Sequence, residues 1–216
     1  MELTLRYKGL LPATTRTEGR IPEKHAIRKE LHKQLEVFWA EDHRLKALYG
    51  NWKSLQIPSR SREHFEVSRP LKDATYFWWR WPLAGYQFIP LITHVHELHC
   101  GLSIRIYRKI GHGGILYEGG DLDNRLKTLL DALQVPRDVG QLPPEGDIDS
   151  NPDSWPPLFC LLDNDAAVTK LSIESFKLLS LPPTEFAQAQ NYIELDIDVL
   201  IEPVTALMGN LDILFK

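Results

Sequence analysis

Cysteine is scarce: Cys100 and Cys160 are the only two in 216 residues. They show no C-x-x-C spacing, which argues against a zinc ribbon or a disulfide framework and leaves buried free thiols as the plain reading. The basic start and continuous apolar run of a secretory leader are missing from "MELTLRYKGLLP". No later stretch reaches the length of a membrane-spanning helix, so the expectation is a cytoplasmic protein with no membrane partner. Internal repeats and the compositional signs of disorder are missing too, since 43% hydrophobic and 25% charged residues are ordinary globular values. The length suffices for a substantial core and does not demand a second unit, so a single domain over 1–216 is expected.

A net positive charge, the usual mark of a nucleic-acid partner, is also lacking: the formal net charge is −4. The average hides an asymmetry, because residues 1–120 carry a net of +7 and residues 121–216 a net of −11. A basic part could steer a polyanion and an acidic part could concentrate divalent metal, provided that the charges segregate in space. Solvated charges that simply fall this way are the competing explanation.

What is present reads as an alternation of strands and helices. "ELTLRY" at 2–7 alternates as a strand does, and Pro22 opens a helix whose stripe is Ala26, Ile27, Leu31, Leu35, Phe38 and Trp39. Residues 41–90 mix Arg, Pro and aromatic residues and have the character of an elaboration between the first helix and the next strand. "QFIPLITHVHELHCGLSIRIYRKI" reads as one or two strands, with Leu102, Ile104 and Ile106 alternating. Leu126, Leu129, Leu130 and Leu133 fall at i, i+3, i+4 and i+7, which predicts a helix starting near Asp123, a preferred N-cap type. Residues 134–160 form a long acidic, proline-rich loop. Strand character returns from Val168, and "NYIELDIDVLIEP" alternates throughout. The expected fold class is α+β, a mixed β-sheet with two principal helices.

The chemistry concentrates in "EGGDLDNRLKTLLDAL" at 118–133. If the chain is extended before the helix, Asp121 and Asp123 point to one side and converge on one ion. Carboxylate oxygens suit Mg²⁺, with Mn²⁺ as a substitute, and a helix N-terminus eases the crowding of two acids. Lys127, one turn on, would meet a phosphate or charge developing on phosphorus. A further acid would have to come from elsewhere, and "LLDNDAAV" offers Asp163 and Asp165. The bland alternative is that these aspartates cap a helix and fill a turn.

"DLDNRLKTLLDAL" at 121–133 and "DNDAAV" at 163–168 resemble the two acidic segments of the RusA family of Holliday-junction resolvases, and the order of elements is similar as well. The resemblance is specific over about twenty residues. It implies a Mg²⁺-dependent endonuclease acting on branched DNA such as a four-way junction, with a RusA-like fold and a homodimer as the working unit. It also implies that Asp121, Asp123 and Asp165 bind metal, with Lys127 as the catalytic lysine and Asn124 supporting the helix start. Arg105, Arg108, Lys109 and Arg125 are the nearest cations for DNA. A second reading is a catalytically inactive RusA-like module that binds DNA or a protein, and a third, favoured by the acidic total and the absence of Arg or Lys from "YEGG" before the motif, is a structural or assembly protein with no nucleic-acid affinity.

Other signals rank lower. His94, His96 and His99 are close in sequence, but no further ligand has an obvious place beside them, so ordinary polar positions are favoured over a transition-metal site. "YFWWRWP" at 76–82 could stack bases, though core or interface is the commoner use of such residues. Arg60, Arg62 and Arg69 could contact phosphate. "GHGG" at 111–114 lacks the context of a phosphate loop.

Overall fold

The computed structural model describes residues 1–13, 20–43, 45, 81–94, 97–109, 122–144, 155–180, 182–184 and 191–204. Seven strands are described, β1 (Glu2–Leu10), β2 (Trp81–Leu83), β3 (Tyr86–Ile92), β4 (Leu98–Arg108), β5 (Pro157–Leu162), β6 (Val168–Lys177) and β7 (Tyr192–Pro203). Two helices accompany them, α1 (Ile21–Glu41) and α2 (Leu122–Leu133). The class is α+β with mixed sheets. The main sheet has the order β1-β7-β4-β6, antiparallel except for the parallel β4–β6 pair. The smaller sheet has the order β2-β3-β5, with β3 and β5 parallel.

Alternation dictates the main sheet. Ile193, Leu195, Ile197, Val199 and Ile201 of β7 and Cys100, Leu102, Ile104 and Ile106 of β4 are buried on one face. They pack in one core with Ile27, Leu31, Leu35 and Trp39 of α1 and with Leu129, Ala132 and Leu133 of α2. Gly9 serves this face through its size, since a Cβ there would lie 2.5 Å from the Tyr7 hydroxyl, which donates to the Leu10 carbonyl at 2.9 Å.

The stripe of α1 differs from the sequence expectation. Ala26 is exposed and Phe38 half-buried, while His25 and Arg28 turn inward. Arg28 is accommodated because it reaches the end of α2, donating to the carbonyls of Asp131 at 2.8 Å and Gln134 at 3.3 Å. It caps orphan carbonyls of a helix that has no cation in its own last turn. Lys24 adds an ion pair to Asp131 at 2.7 Å.

Two segments read as elaboration and loop take part in the core. Residues 81–92 form a hairpin whose turn, Ala84–Gly85, is left-handed at both positions (φ 46° and 84°), as a two-residue hairpin turn requires. Its second strand buries Phe88, Ile89, Leu91 and Ile92. β5 begins at Pro157 and buries all of Leu158–Leu162. Within 134–144, Val135 and Leu142 are buried beside Phe88, Leu158 and Cys160, and Gln134 bridges to Leu162. The smaller sheet is covered on both faces, so its strands read as continuous apolar runs without alternation.

On the open face of the main sheet the acids of β7 lie between basic residues of its neighbours. Lys8 pairs with Glu194 at 3.0 Å, Arg6 with Asp196 at 3.4 Å and Arg105 with Asp198 at 2.8 Å. The basic and acidic parts of the sequence therefore interleave here.

Candidate active site

α2 begins at Leu122, one residue before Asp123. Asp123 thus lies inside the first helical turn and not at the cap, and the extended arrangement that would set it on one side with Asp121 does not reach it. Asp121 itself is outside the described residues. Leu122, Leu126 and Leu130 pack against the core beside buried Leu129 and Leu133, which leaves Asp123 and Lys127 exposed one turn apart on the same face. An acid in the first turn and a cation above it are what the sequence required of this helix.

The second acidic segment separates its two aspartates by burial. Asp163 is 1% exposed. One of its carboxyl oxygens accepts from the backbone N–H of His94 at 3.0 Å and contacts the His94 ring Nδ1, and the other accepts from the Asn164 N–H at 2.7 Å. Asp163 is therefore a brace between the end of β5 and the turn after β3. Asn164 caps a short 3-10 turn by accepting from the Ala166 N–H at 2.7 Å, and Asp165 stands exposed on that turn. Arg137 lies 3.9 Å from it. Of the pair, Asp165 has the accessible carboxylate.

The fold does not set Asp165 beside Asp123 within one chain. Near the start of α2, Arg125 donates to the Leu11 carbonyl and, at 2.8 Å, to the Asn191 side chain. This fixes the helix entrance at the end of the main sheet where Leu10 pairs with Tyr192 and Arg108 with Ile193. Asp165 precedes Val168, which pairs with Cys100 at the opposite end. The eight residue steps from Cys100 to Arg108 span roughly 26 Å of strand. α2 tells the same story, because its far end meets Leu162 after an advance of roughly 15 Å from Asp123. One Mg²⁺ takes oxygens at about 2.1 Å, so a single ion cannot hold both carboxylates of one chain.

The four cations named for DNA fare differently. Arg125 is 8% exposed, and its guanidinium is spent on Leu11 and Asn191 inside the molecule. Burial lowers its affinity for a proton and nearby Arg108 lowers it further, both consequences of an inward position. Arg105 is bound to Asp198, which Thr4 also contacts at 2.7 Å. Arg108 donates to Ser175 at 3.1 Å and stays half-buried, whereas Lys109 is exposed. Arg125 is thus corrected from surface contact to internal staple.

Asp163–His94 is the pairing that sequence inspection missed, although both residues were noticed separately. Its signal was a carboxylate directly after an apolar run, a place where a strand end needs an acceptor. His99 lies 3.7 Å from Glu202, and His96 is outside the described residues. No group of three or more metal-ligating side chains occurs among the described residues. Trp81 packs half-buried against Phe88 and its neighbours, while residues 76–80, Arg60, Arg62, Arg69 and 111–114 are outside the described residues. Cys100 and Cys160 are free and buried, and burial pushes both thiols up to about 12.

Among the described residues, no helix is long and apolar enough to cross a membrane. Comparison with protein-family models, with curated proteins and with solved structures gave no match to this chain.

Proposed function

We propose that the chain is a Mg²⁺-dependent endonuclease of branched DNA, RusA-like, whose metal site is assembled between two copies. The observation that carries this reading is the pairing of Asp123 with Lys127 on one exposed helix face, together with an exposed Asp165 at the far end of the same chain. In a two-fold dimer the α2 entrance of one copy can meet the Asp165 turn of the other, which a single copy cannot do. Asp123, Asp165 and the neighbouring Asp121 would hold the ion, and Lys127 would donate to a non-bridging phosphate oxygen as charge accumulates there. When bound, Mg²⁺ or Mn²⁺ supplies neutralisation of the phosphodiester and activation of water. Two such sites suit the symmetry of a four-way junction.

The test is cleavage of labelled four-way, flap and linear DNA in Mg²⁺, Mn²⁺ or EDTA. Metal-dependent nicking by the wild type that vanishes in Asp123→Asn and in Asp165→Asn supports the reading. Mixing the two variants should restore about a quarter of the nicking, because half the dimers are mixed and half of their sites are whole. A mixture as dead as its components removes the shared site, and an inactive wild type removes the nuclease.

The alternative, an inactive module that binds DNA or a protein, is favoured by one observation: Arg125 and Arg105 are engaged within the chain. Salt-independent or absent DNA binding would point to the protein-binding form.

A further inference from the structure

β6 is an edge of the main sheet and, among the described residues, pairs only with β4. It is ten residues long and contains no proline. Leu171 is 41% and Phe176 40% exposed, and Leu171 pairs with Leu102, on the side of the sheet that is buried in β4 and β7. A long edge with unpaired backbone donors and acceptors and exposed apolar side chains is a template for another strand.

The order of residues along it identifies that strand. Counting outward from Ser172, Leu171 answers Ile173 and Lys170 answers Glu174, after which the β4–β6 register shifts and Thr169 falls out of the ladder. Each of these positions meets its own chemistry: apolar with apolar and cation with anion. Antiparallel pairing about a two-fold axis demands this relation, because residue i then faces j while j faces i.

Neighbouring registers lose it. A centre on Ile173 sets Lys170 opposite Phe176 and Ser172 opposite Glu174. A centre on Leu171 sets Lys170 opposite Ser172 and so takes it from Glu174. A centre between residues turns the buried face of one copy towards the open face of the other.

We propose that β6 pairs antiparallel with β6 of a second copy about Ser172, joining two four-stranded sheets into one. Lys170 then faces the partner's Glu174, Leu171 faces the partner's Ile173, and each contact occurs twice. One consequence rests on the nuclease reading above. Asp165 precedes β6 by a single 3-10 turn, so this pairing brings it towards the end of the partner's β6 that lies beside the exit of β4 towards α2.

The test uses the full chain and reads mass by sedimentation equilibrium, so it is independent of cleavage. Wild type should be a dimer. Lys170→Glu and Glu174→Lys should each weaken association about tenfold or more, and the double reversal should restore it with unchanged circular dichroism. Ser172→Cys should form a disulfide-linked dimer under glutathione, whereas Glu2→Cys on the opposite edge should not. A wild type that stays monomeric, or a dimer indifferent to the reversals and uncaptured by Ser172→Cys, overturns the proposal. If the dimer forms as described and no DNA is cut, the interface stands and the nuclease falls.

Discussion

Asp163 accepts from the backbone N–H of His94 at 3.0 Å and meets the ring Nδ1 of the same residue, so one buried carboxylate holds both halves of a histidine 69 positions away. The same chain places an aspartate two residues later with half of its side chain open to solvent. The two therefore answer to substitution in opposite ways.

Asp163→Ala should cost about 1 to 2 kcal/mol, since it removes the shared acceptor of the part-buried His94 and Asn164 N–H groups. Asp165→Asn should change stability by less than about 0.5 kcal/mol and abolish nicking. Urea denaturation beside cleavage separates them. An Asp165 variant that unfolds, or an Asp163 variant of wild-type stability, reverses the assignment of brace and ligand.

Arg125→Ala should destabilise by about 2 kcal/mol, because the Leu11 carbonyl and the Asn191 side chain lose a buried charged donor. It should leave the salt dependence of DNA binding unaltered. Lys109→Ala, at an exposed cation, should reduce that slope by about one unit without loss of stability. Equal slopes for Arg125→Ala and Lys109→Ala, both reduced, would return Arg125 to the DNA surface.

His32 gives stability a pH dependence with a definite sign. Burial lowers its pKa, with Lys33 opposing protonation and Glu36 favouring it, and its Nδ1 accepts from the Phe159 N–H at 3.0 Å. The unfolded imidazole takes its proton near about 6.5, so the unfolded state binds more protons below that value. The contribution is fully present above it and is lost as pH falls through the depressed folded value. His32→Gln should show a smaller stability difference between pH 7.5 and pH 5 than wild type, both buffer values being about one unit or more from that pKa. An identical difference in both proteins would exclude His32 as the source.

Thiol chemistry checks the core directly. Cys100 and Cys160 are 0% and 2% exposed, with thiols pushed up to about 12. Ellman's reagent should find neither in the native protein and both in denaturant. Rapid reaction of the folded chain would mean that β4 or β5 opens to solvent.

The alternating strands β1, β4 and β7 and the leucine spacing of α2 were legible because one face of each is buried and the other is wet. β2, β3 and β5 were not, because a strand covered on both faces has no alternation to display. Arg125, read as a cation for DNA, misled for a related reason, and the inward turn of Arg28 was not legible on the same ground. A charged residue reads as surface unless something inside accepts its protons, and here those acceptors are carbonyls and a side chain 66 to 114 positions distant.

By itself the sequence determined the α+β class, the amphipathic faces of α2, β1, β4 and β7 and the placing of Asp123 below Lys127, since these follow from periods of two and 3.6 residues along a continuous chain. Tertiary structure alone decided that Asp163 is buried and Asp165 exposed, and that Asp165 lies at the other end of the sheet from Asp123. Burial and distance depend on which distant segments pack together, and two aspartates separated by one residue carry no local sign of which will meet a histidine and which will meet water.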